Sequence, residues 1–269
     1  MLETELDRKA TIAQVFARAA AGYEHITHFP PLGQRLVELA GLPGGARVLD
    51  VATGRGAILF PAAERVGAGG QVTGVDISPG MVSQTEAEVT RRGLANVRVR
   101  QMDAEALDFP DAAFDFVLCG FALQFFPHLE RGLAEFRRVL APGGRVVVST
   151  WGADDERWSF YPALRAAYGA RVKLQSQSFE QPETLKQIFS AAGFAEVRTR
   201  LEPFDWVCAE AEEWWAAQWS MSSRAGLERL EPAAAERLKA EVFEHMQALR
   251  QPDGFHELLR AQFTLARKP

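Results

Sequence analysis

The stretch Val48-Leu49-Asp50-Val51-Ala52-Thr53-Gly54-Arg55-Gly56 decides the fold. It begins as a short apolar run, Arg47–Thr53, that reads as a buried β-strand, and it ends on two glycines in Gly-x-Gly spacing. Ala57–Val66 then shows helical apolar spacing, with Pro61 near its start, where proline is best tolerated. Glycines in a strand-to-helix turn let a ligand approach the backbone, and the helix N-terminus offers unpaired N–H groups. In an open α/β sheet such a turn lies at the carboxyl ends of the strands, in the ligand crevice. Asp76 follows 22 residues after Gly54, at the end of a second strand, Gln71–Ile77. An acid at that place accepts hydrogen bonds from ribose hydroxyls, so the pair indicates a nucleoside-containing ligand. A dinucleotide site would add a third glycine, as GxGxxG. Here Ala57, Ile58 and Leu59 follow instead, and the turn alone leaves the cofactor open.

Outward from the turn, strands and helices alternate. Ser78-Pro79 reads as N-cap and first helical residue of a helix that runs to a Gly93 cap. Val97–Met102, Phe114–Phe121 and Arg145–Thr150 read as strands, Leu129–Leu140 as an amphipathic helix, and Pro142-Gly143-Gly144 as a turn. This alternation means βαβ units, and the nearly continuous apolar strands mean a sheet covered on both faces. Upstream, Glu3–Leu42 reads as two helices, the second ended by Gly41 and Pro43. Gly22-Tyr23-Glu24-His25 and Phe29-Pro30-Pro31 form a turn-rich connector between them. After Trp151 the regularity lapses. Asp154–Lys173 looks helical and aromatic, Glu183–Ala192 helical, and Ala195–Val207 a long strand expected to bend or bulge at Pro203. Glu210–Met221 and Ala233–Leu249 read as helices and His256–Ala266 as a last strand. The expected organisation is an N-terminal helical cap (1–45), an α/β core (46–151) and a helical lid insertion (152–182). Residues 183–269 then complete the core sheet, with strands near 195–207 and 256–266 and a helical insertion near 208–250.

Composition narrows the function. The 269 residues are 47% hydrophobic and 24% charged, with net charge -5 and a pI near 5.7. That balance speaks against a nucleic-acid or anionic-membrane partner, which would want a basic face. Arg91, Arg92, Arg98 and Arg100 read as a solvated helix end and strand. Two cysteines, Cys119 and Cys208, are too few for a thiolate zinc cage or a disulfide framework, and no metal site is expected. Cys119 lies in an apolar run, as a buried free thiol would, which fits a reducing compartment. No run approaches the ~20 apolar residues of a membrane span. Met1–Ala10 carries charges of both signs and no apolar signal core. The expectation is a cytoplasmic protein with a small-molecule partner; a homodimer stays open.

Four motifs, VLDVATGRG (48–56), GVDISPGMV (74–82), QMDAEALDFPDAAFDFVLCGFALQFFP (101–127) and RVLAPGGRVVVST (138–150), occur in a recognisable order and spacing. Together they resemble the class I S-adenosylmethionine-dependent methyltransferases, in particular the UbiE-like group of ubiquinone/menaquinone-biosynthesis C-methyltransferases. The resemblance implies a Rossmann-like α/β fold, with a mostly parallel seven-stranded sheet and a helical lid. It also implies S-adenosyl-L-methionine as cofactor and methyl transfer to a small acceptor. By the same resemblance Asp50, Ala52, Gly54 and Gly56 match the loop around the methionine part, and Asp76 the ribose-binding acid. Ile77 would lie against the adenine, with Met81 bordering the cofactor. Asp103 and Ala104 match the pair at the adenine edge, and Cys119, Gly120 and Phe121 the strand end beside the methyl. Tyr23 sits where related enzymes place a tyrosine over the cofactor.

Ala52 stands where many members have glycine, and Arg55 where a small or hydroxyl residue is common. A long cation beside a sulfonium is unfavourable, so Arg55 is expected to point away from it or to pair with a carboxylate. Phe16, Phe29, Phe121, Phe125, Phe126, Trp151, Trp158, Trp215 and Trp219 are candidates for an aromatic pocket, which suits a hydrophobic or aromatic acceptor. Tyr23 and His25 are the candidate catalytic residues, with His28 and His128 also near expected loops. Gln124 stands where some relatives carry histidine. Two other readings stay open at this stage: a nicotinamide-dependent oxidoreductase, and a same-fold protein that binds the adenosyl cofactor and transfers no methyl.

Overall fold

A computed structural model describes residues 5–269, with side chains from Arg8 onward; Met1–Thr4, the start of the charged N-terminal stretch, lie outside the described residues. Strand β1 (Arg47–Val51) lies inside the sheet, with four of its five residues buried and both edges paired. The other strands are β2 (Gln71–Asp76), β3 (Val97–Gln101), β4 (Phe114–Gly120), β5 (Leu140–Trp151), β6 (Ala195–Cys208), β7 (Arg250–Gln251) and β8 (Gly254–Arg267). They form one sheet in the order β3-β2-β1-β4-β5-β8-β6. The first five are parallel, and β8 runs antiparallel to both β5 and β6. These seven are the expected strands; the two-residue β7 adds an eighth by pairing with the start of β8. Register places the carboxyl ends of β1, β2 and β4 side by side, with Val51 opposite Val75 and Cys119.

The helices are α1 (Glu5–Ala19), α2 (Phe29–Ala40), α3 (Leu59–Val66), α4 (Pro79–Arg92), α5 (Leu129–Val139), α6 (Phe160–Ala167), α7 (Pro182–Ala191), α8 (Ala211–Trp219), α9 (Arg224–Leu227) and α10 (Pro232–Gln247). One face of the sheet is covered by α2 and α3 through Leu36, Val37, Leu59 and Ala62. The other is covered by α5 and α7 through Leu133, Phe136, Leu185 and Phe189. A third cluster, built on Trp158, Tyr161, Trp206, Trp214 and Trp215 and closed by Leu238, Val242 and Met246 of α10, packs α6, α8 and α10 against β6. The ends of α4 are as read: the Ser78 hydroxyl accepts the Met81 N–H at 3.3 Å, Pro79 follows, and Gly93 closes the helix at φ 66°.

Four local expectations are corrected; Pro142-Gly143-Gly144, expected as a turn, lies inside β5 where its pairing with β4 shifts register. Phe29-Pro30-Pro31 is not connector but the first turn of α2, where proline's missing N–H would have had no helical acceptor. The irregularity in β6 lies between Ala195 and Arg198, while Pro203 stays in register with Arg260. β6 is the edge strand, so the absent N–H breaks no ladder. Asp154–Lys173 divides into a 3₁₀ turn at Glu156–Trp158 and the short α6. No described helix is long and apolar enough to cross a membrane.

Candidate cofactor and acceptor cavity

A cleft of about 220 Å³ opens at the carboxyl ends of β1, β2 and β4, covered by α1, the 3₁₀ turn Ala20–His25 and the start of α2. Of the residues singled out from sequence, Tyr23, Ala52, Gly54, Asp76, Ile77, Met81, Asp103, Ala104, Gly120 and Phe121 line it. Asp50 and Cys119 are fully buried behind its wall. Gly56 is not on the wall either; a Cβ there would sit 2.4 Å from the Phe60 ring, so this glycine serves the turn's packing. His25 is exposed and does not line the cleft.

The glycine turn is built on backbone that side chains disfavour. Gly54 and Gly56 have φ of 51° and 83°, and Ala52, in a glycine's place, is held at 55°. A left-handed alanine costs roughly 1–2 kcal/mol, so the surroundings enforce the turn. Thr53 N–H donates to Val75 O at 2.9 Å, the Thr53 hydroxyl to Asp50 Oδ2 at 2.6 Å, and Thr85 Oγ1 to Gly54 O at 2.7 Å. Gly33, which sequence reasoning missed, lets α2 lie on the turn: its Cβ would fall 2.2 Å from the Ala57 carbonyl oxygen.

Asp76 bridges the turn and the next helix, Oδ2 accepting from Gly54 N–H and Oδ1 from Ser78 N–H, each at 2.9 Å. Burial pushes its carboxyl up to about 6, against the N–H groups of Ser78, Gly54 and Ile77. Burial likewise raises Asp50 to about 7, with the Asp76 charge adding to it. At the far end, Asp103 accepts from Glu105 N–H at 2.9 Å and pairs with Lys9 at 2.8 Å, while Lys9 reaches Glu105 at 2.6 Å. Glu105 in turn accepts the His128 N–H at 2.8 Å. This Lys9 clamp, which fastens α1 over Asp103, joins residues 94 positions apart and carries no local signal. Among the described residues Arg55 pairs with no carboxylate: its Nη1 donates to the Ala20 carbonyl at 2.5 Å, and its buried Nε has no partner there.

The remaining wall is aromatic. Phe121 stacks on Trp151 at 3.9 Å, Phe29 packs on Phe121 at 5.7 Å, and Tyr23 stacks on Phe29 at 5.6 Å. Phe16, Phe125 and Phe126 complete it, whereas Trp158, Trp215 and Trp219 pack in or against the third hydrophobic cluster and do not line the cleft. Ser149, 1% exposed, lines this end with an unpartnered Oγ, and Gln124 donates to Phe121 O at 2.8 Å. Burial, with the Asp76 charge adding, raises the Tyr23 phenol, which therefore stays protonated. His28 lies behind the wall among Phe29, Trp151 and Trp206, where burial drives its imidazole down to about 3. Burial also raises the Cys119 thiol, which makes it core and not a nucleophile.

A doubly wound sheet with an acid at the β2 end and a strained glycine turn at the β1 end defines a nucleoside-cofactor protein. Residues 48–144 match the family described as "Methyltransferase domain". The chain is 34% identical over 252 residues to the nocamycin O-methyltransferase of Saccharothrix syringae, covering 87% of this chain and 90% of that protein. It is 34% identical over 221 residues to the demethylmenaquinone methyltransferase of Thermus thermophilus, covering 71% and 95%. Among solved structures, the YcgJ protein of Bacillus subtilis superposes with a TM-score of 0.62 at 21% identity, over 90% of this chain and 98% of that one, which speaks for the fold. The chain belongs to the class I S-adenosylmethionine-dependent methyltransferases, UbiE-like. It is accordingly an enzyme that uses S-adenosylmethionine, and the nicotinamide and non-methylating readings fall away.

Proposed function

We propose that this methyltransferase acts on a small, apolar, ring-bearing acceptor held at the aromatic end of the cleft. The observation that carries the reading is the wall of Phe29, Phe121 and Trp151, which meets the cofactor turn at the end of β4. The cleft fits an adenosyl group with an amino-acid tail: a buried carboxylate for sugar hydroxyls, apolar Ile77, Met81 and Ala104 for a base, and an orphaned Arg55 N–H. In this reading Asp76 accepts the ribose hydroxyls, Asp103 and Ala104 face the adenine edge, and Ala52, Gly54, Gly120 and Phe121 flank the tail and methyl. Asp50, Gly56 and Cys119 hold the wall from behind. The cap (1–45) and lid (152–182 and 208–250) enclose the core.

The cofactor supplies a methyl on a sulfonium sulfur. The chain supplies position and exclusion of water. Tyr23 stays protonated and donates; Ser149 and Gln124 orient an acceptor oxygen. Since His28 is neutral and walled off, the described residues at the aromatic end hold no ionised base. The reading therefore favours an acceptor that ionises on its own, a carboxylic acid or an acidic enol or phenol. The relatives named for nocamycin and demethylmenaquinone support a small-molecule acceptor. The net charge of -5 supports the same over a nucleic acid, and the buried free thiols Cys119 and Cys208 support a reducing, cytoplasmic setting. Exposed Leu201 and Val207 on edge strand β6 offer a homodimer its surface, which sedimentation would read as twice 29.7 kDa. The test is S-adenosylhomocysteine release over a panel of aromatic acids, acidic phenols, aliphatic alcohols and amines. Turnover confined to alcohols or amines would overturn the acceptor class.

A further inference from the structure

We propose that Arg55 binds the carboxylate at the amino-acid end of the cofactor and, with the same guanidinium, holds the Ala20–His25 turn over it. The inference rests on the cofactor reading above. Arg55 sits in the glycine turn and lines the cleft. Its Nη1 is bonded to Ala20 O at 2.5 Å, while its Nε is buried without an acceptor. A buried guanidinium N–H left unpaired is unfavourable, and an anion that draws the guanidinium toward the cleft it lines would relieve it. The nearby carboxylates are engaged elsewhere: Asp76 by the N–H groups of Gly54 and Ser78, Asp103 and Glu105 by Lys9. Lys9 and Arg55 are the cations among the described residues that line the cleft, and Lys9 is held at the Asp103 end. That leaves Arg55 to neutralise a carboxylate at the turn, through the fork geometry that favours guanidinium over ammonium there.

The bond to Ala20 extends the consequence. Ala20 begins the 3₁₀ turn that carries Tyr23, whose ring lies 3.9 Å from where a Gly54 Cβ would be. In the same turn Gly22 O accepts the Ser220 hydroxyl at 2.6 Å, just past α8 of the lid. One guanidinium thus joins the cofactor's carboxylate to the covering turn and, through Ser220, to the lid.

Calorimetry with S-adenosylhomocysteine and with methylthioadenosine, which has the adenosine and sulfur but no carboxylate, tests this. Arg55→Met is expected to weaken S-adenosylhomocysteine about 10- to 100-fold, the range of a charge-assisted hydrogen bond, and to leave methylthioadenosine within about twofold. Arg55→Lys should recover part of the loss. Hydrogen exchange should show amides 20–25 protected by S-adenosylhomocysteine and not by methylthioadenosine. Methylthioadenosine binding also reports that the variant is folded. An equal loss for both ligands would reduce Arg55 to a structural bond with Ala20, and no loss would leave it no role; either overturns the proposal. Wild-type protein that binds neither ligand would instead overturn the cofactor reading, before any variant is made.

Discussion

Replacing Asp76 with asparagine should separate cofactor binding from folding. The carboxyl stands at about 6 instead of its ordinary 3.8 because it is buried. That difference corresponds to about 3 kcal/mol by which folding disfavours the ionised form. Between about pH 4 and pH 6 the folded apoprotein keeps a proton that the unfolded chain has released. Its stability therefore falls as pH rises through that window. Asparagine removes this penalty but keeps one acceptor oxygen where Asp76 offers two, one to Gly54 N–H and one to Ser78 N–H. The orphaned N–H costs about 1–3 kcal/mol, so the two effects roughly offset. The expected result is a melting temperature near wild type at neutral pH, without the fall across the acid window. Ligand affinity behaves otherwise. Ribose hydroxyls donate to the charged carboxylate, and each charge-assisted bond is worth about 1.5–3 kcal/mol, so the variant should lose a hundredfold or more. Wild-type affinity for S-adenosylhomocysteine should rise from about pH 5 to pH 7 as Asp76 ionises, while the variant stays weak and flat. Calorimetry on both proteins across that range decides it. An Asp76→Asn protein that binds within about threefold of wild type would refute the role argued for this residue.

Gly33→Ala places a Cβ 2.2 Å from Ala57 O, so α2 must move away from the turn. A loss of about 1–3 kcal/mol is expected, seen as a melting point several degrees lower, with weaker cofactor binding. Ser149→Ala deletes the orphan hydroxyl in the acceptor wall. Acceptor KM should rise about 2- to 10-fold, with S-adenosylhomocysteine affinity unchanged; a change confined to the cofactor would place Ser149 at the other subsite. His256 bonds Asp253 at 2.9 Å and Asp205 at 2.7 Å, and these bonds, Asp253's foremost, raise its pKa. Their contribution to stability is complete below the unfolded value of about 6.5 and fades as pH rises through the folded one, so a His256→Gln protein should melt with a flatter alkaline profile.

Much of this architecture could be read before the structure, for a physical reason. Central parallel strands are continuous apolar runs, and the caps at Ser78-Pro79 and Gly93 are local chemistry, so each announces itself within a few residues. Asp76 was legible because its position follows from the strand end, which pattern alone locates. What escaped depends on contacts across the chain. Gly33 looks like any helical glycine until α2 is laid on the turn, and the Lys9 pairing with Asp103 spans 94 residues. Pro30 and Pro31 lie inside α2, and proline marks a helix boundary without saying on which side the helix lies.

The histidines show why residue type predicts chemistry so poorly without burial. His25 and His28 lie three positions apart on one connector, and either type would serve as a base at an unperturbed pKa near 6.5. The 3₁₀ turn leaves His25 in solvent, while the N-cap of α2 drives His28 among three aromatic rings. The one with access has no contact with the cleft, and the one beside the cleft has lost its basicity, to about 3. On the proposed reading, proton removal rests on the acceptor's own acidity. An acceptor series graded in pKa would show this as a rate that follows the ionised fraction of the acceptor. A rate that instead followed a protein group near neutral pH would mean that a base lies at this end after all.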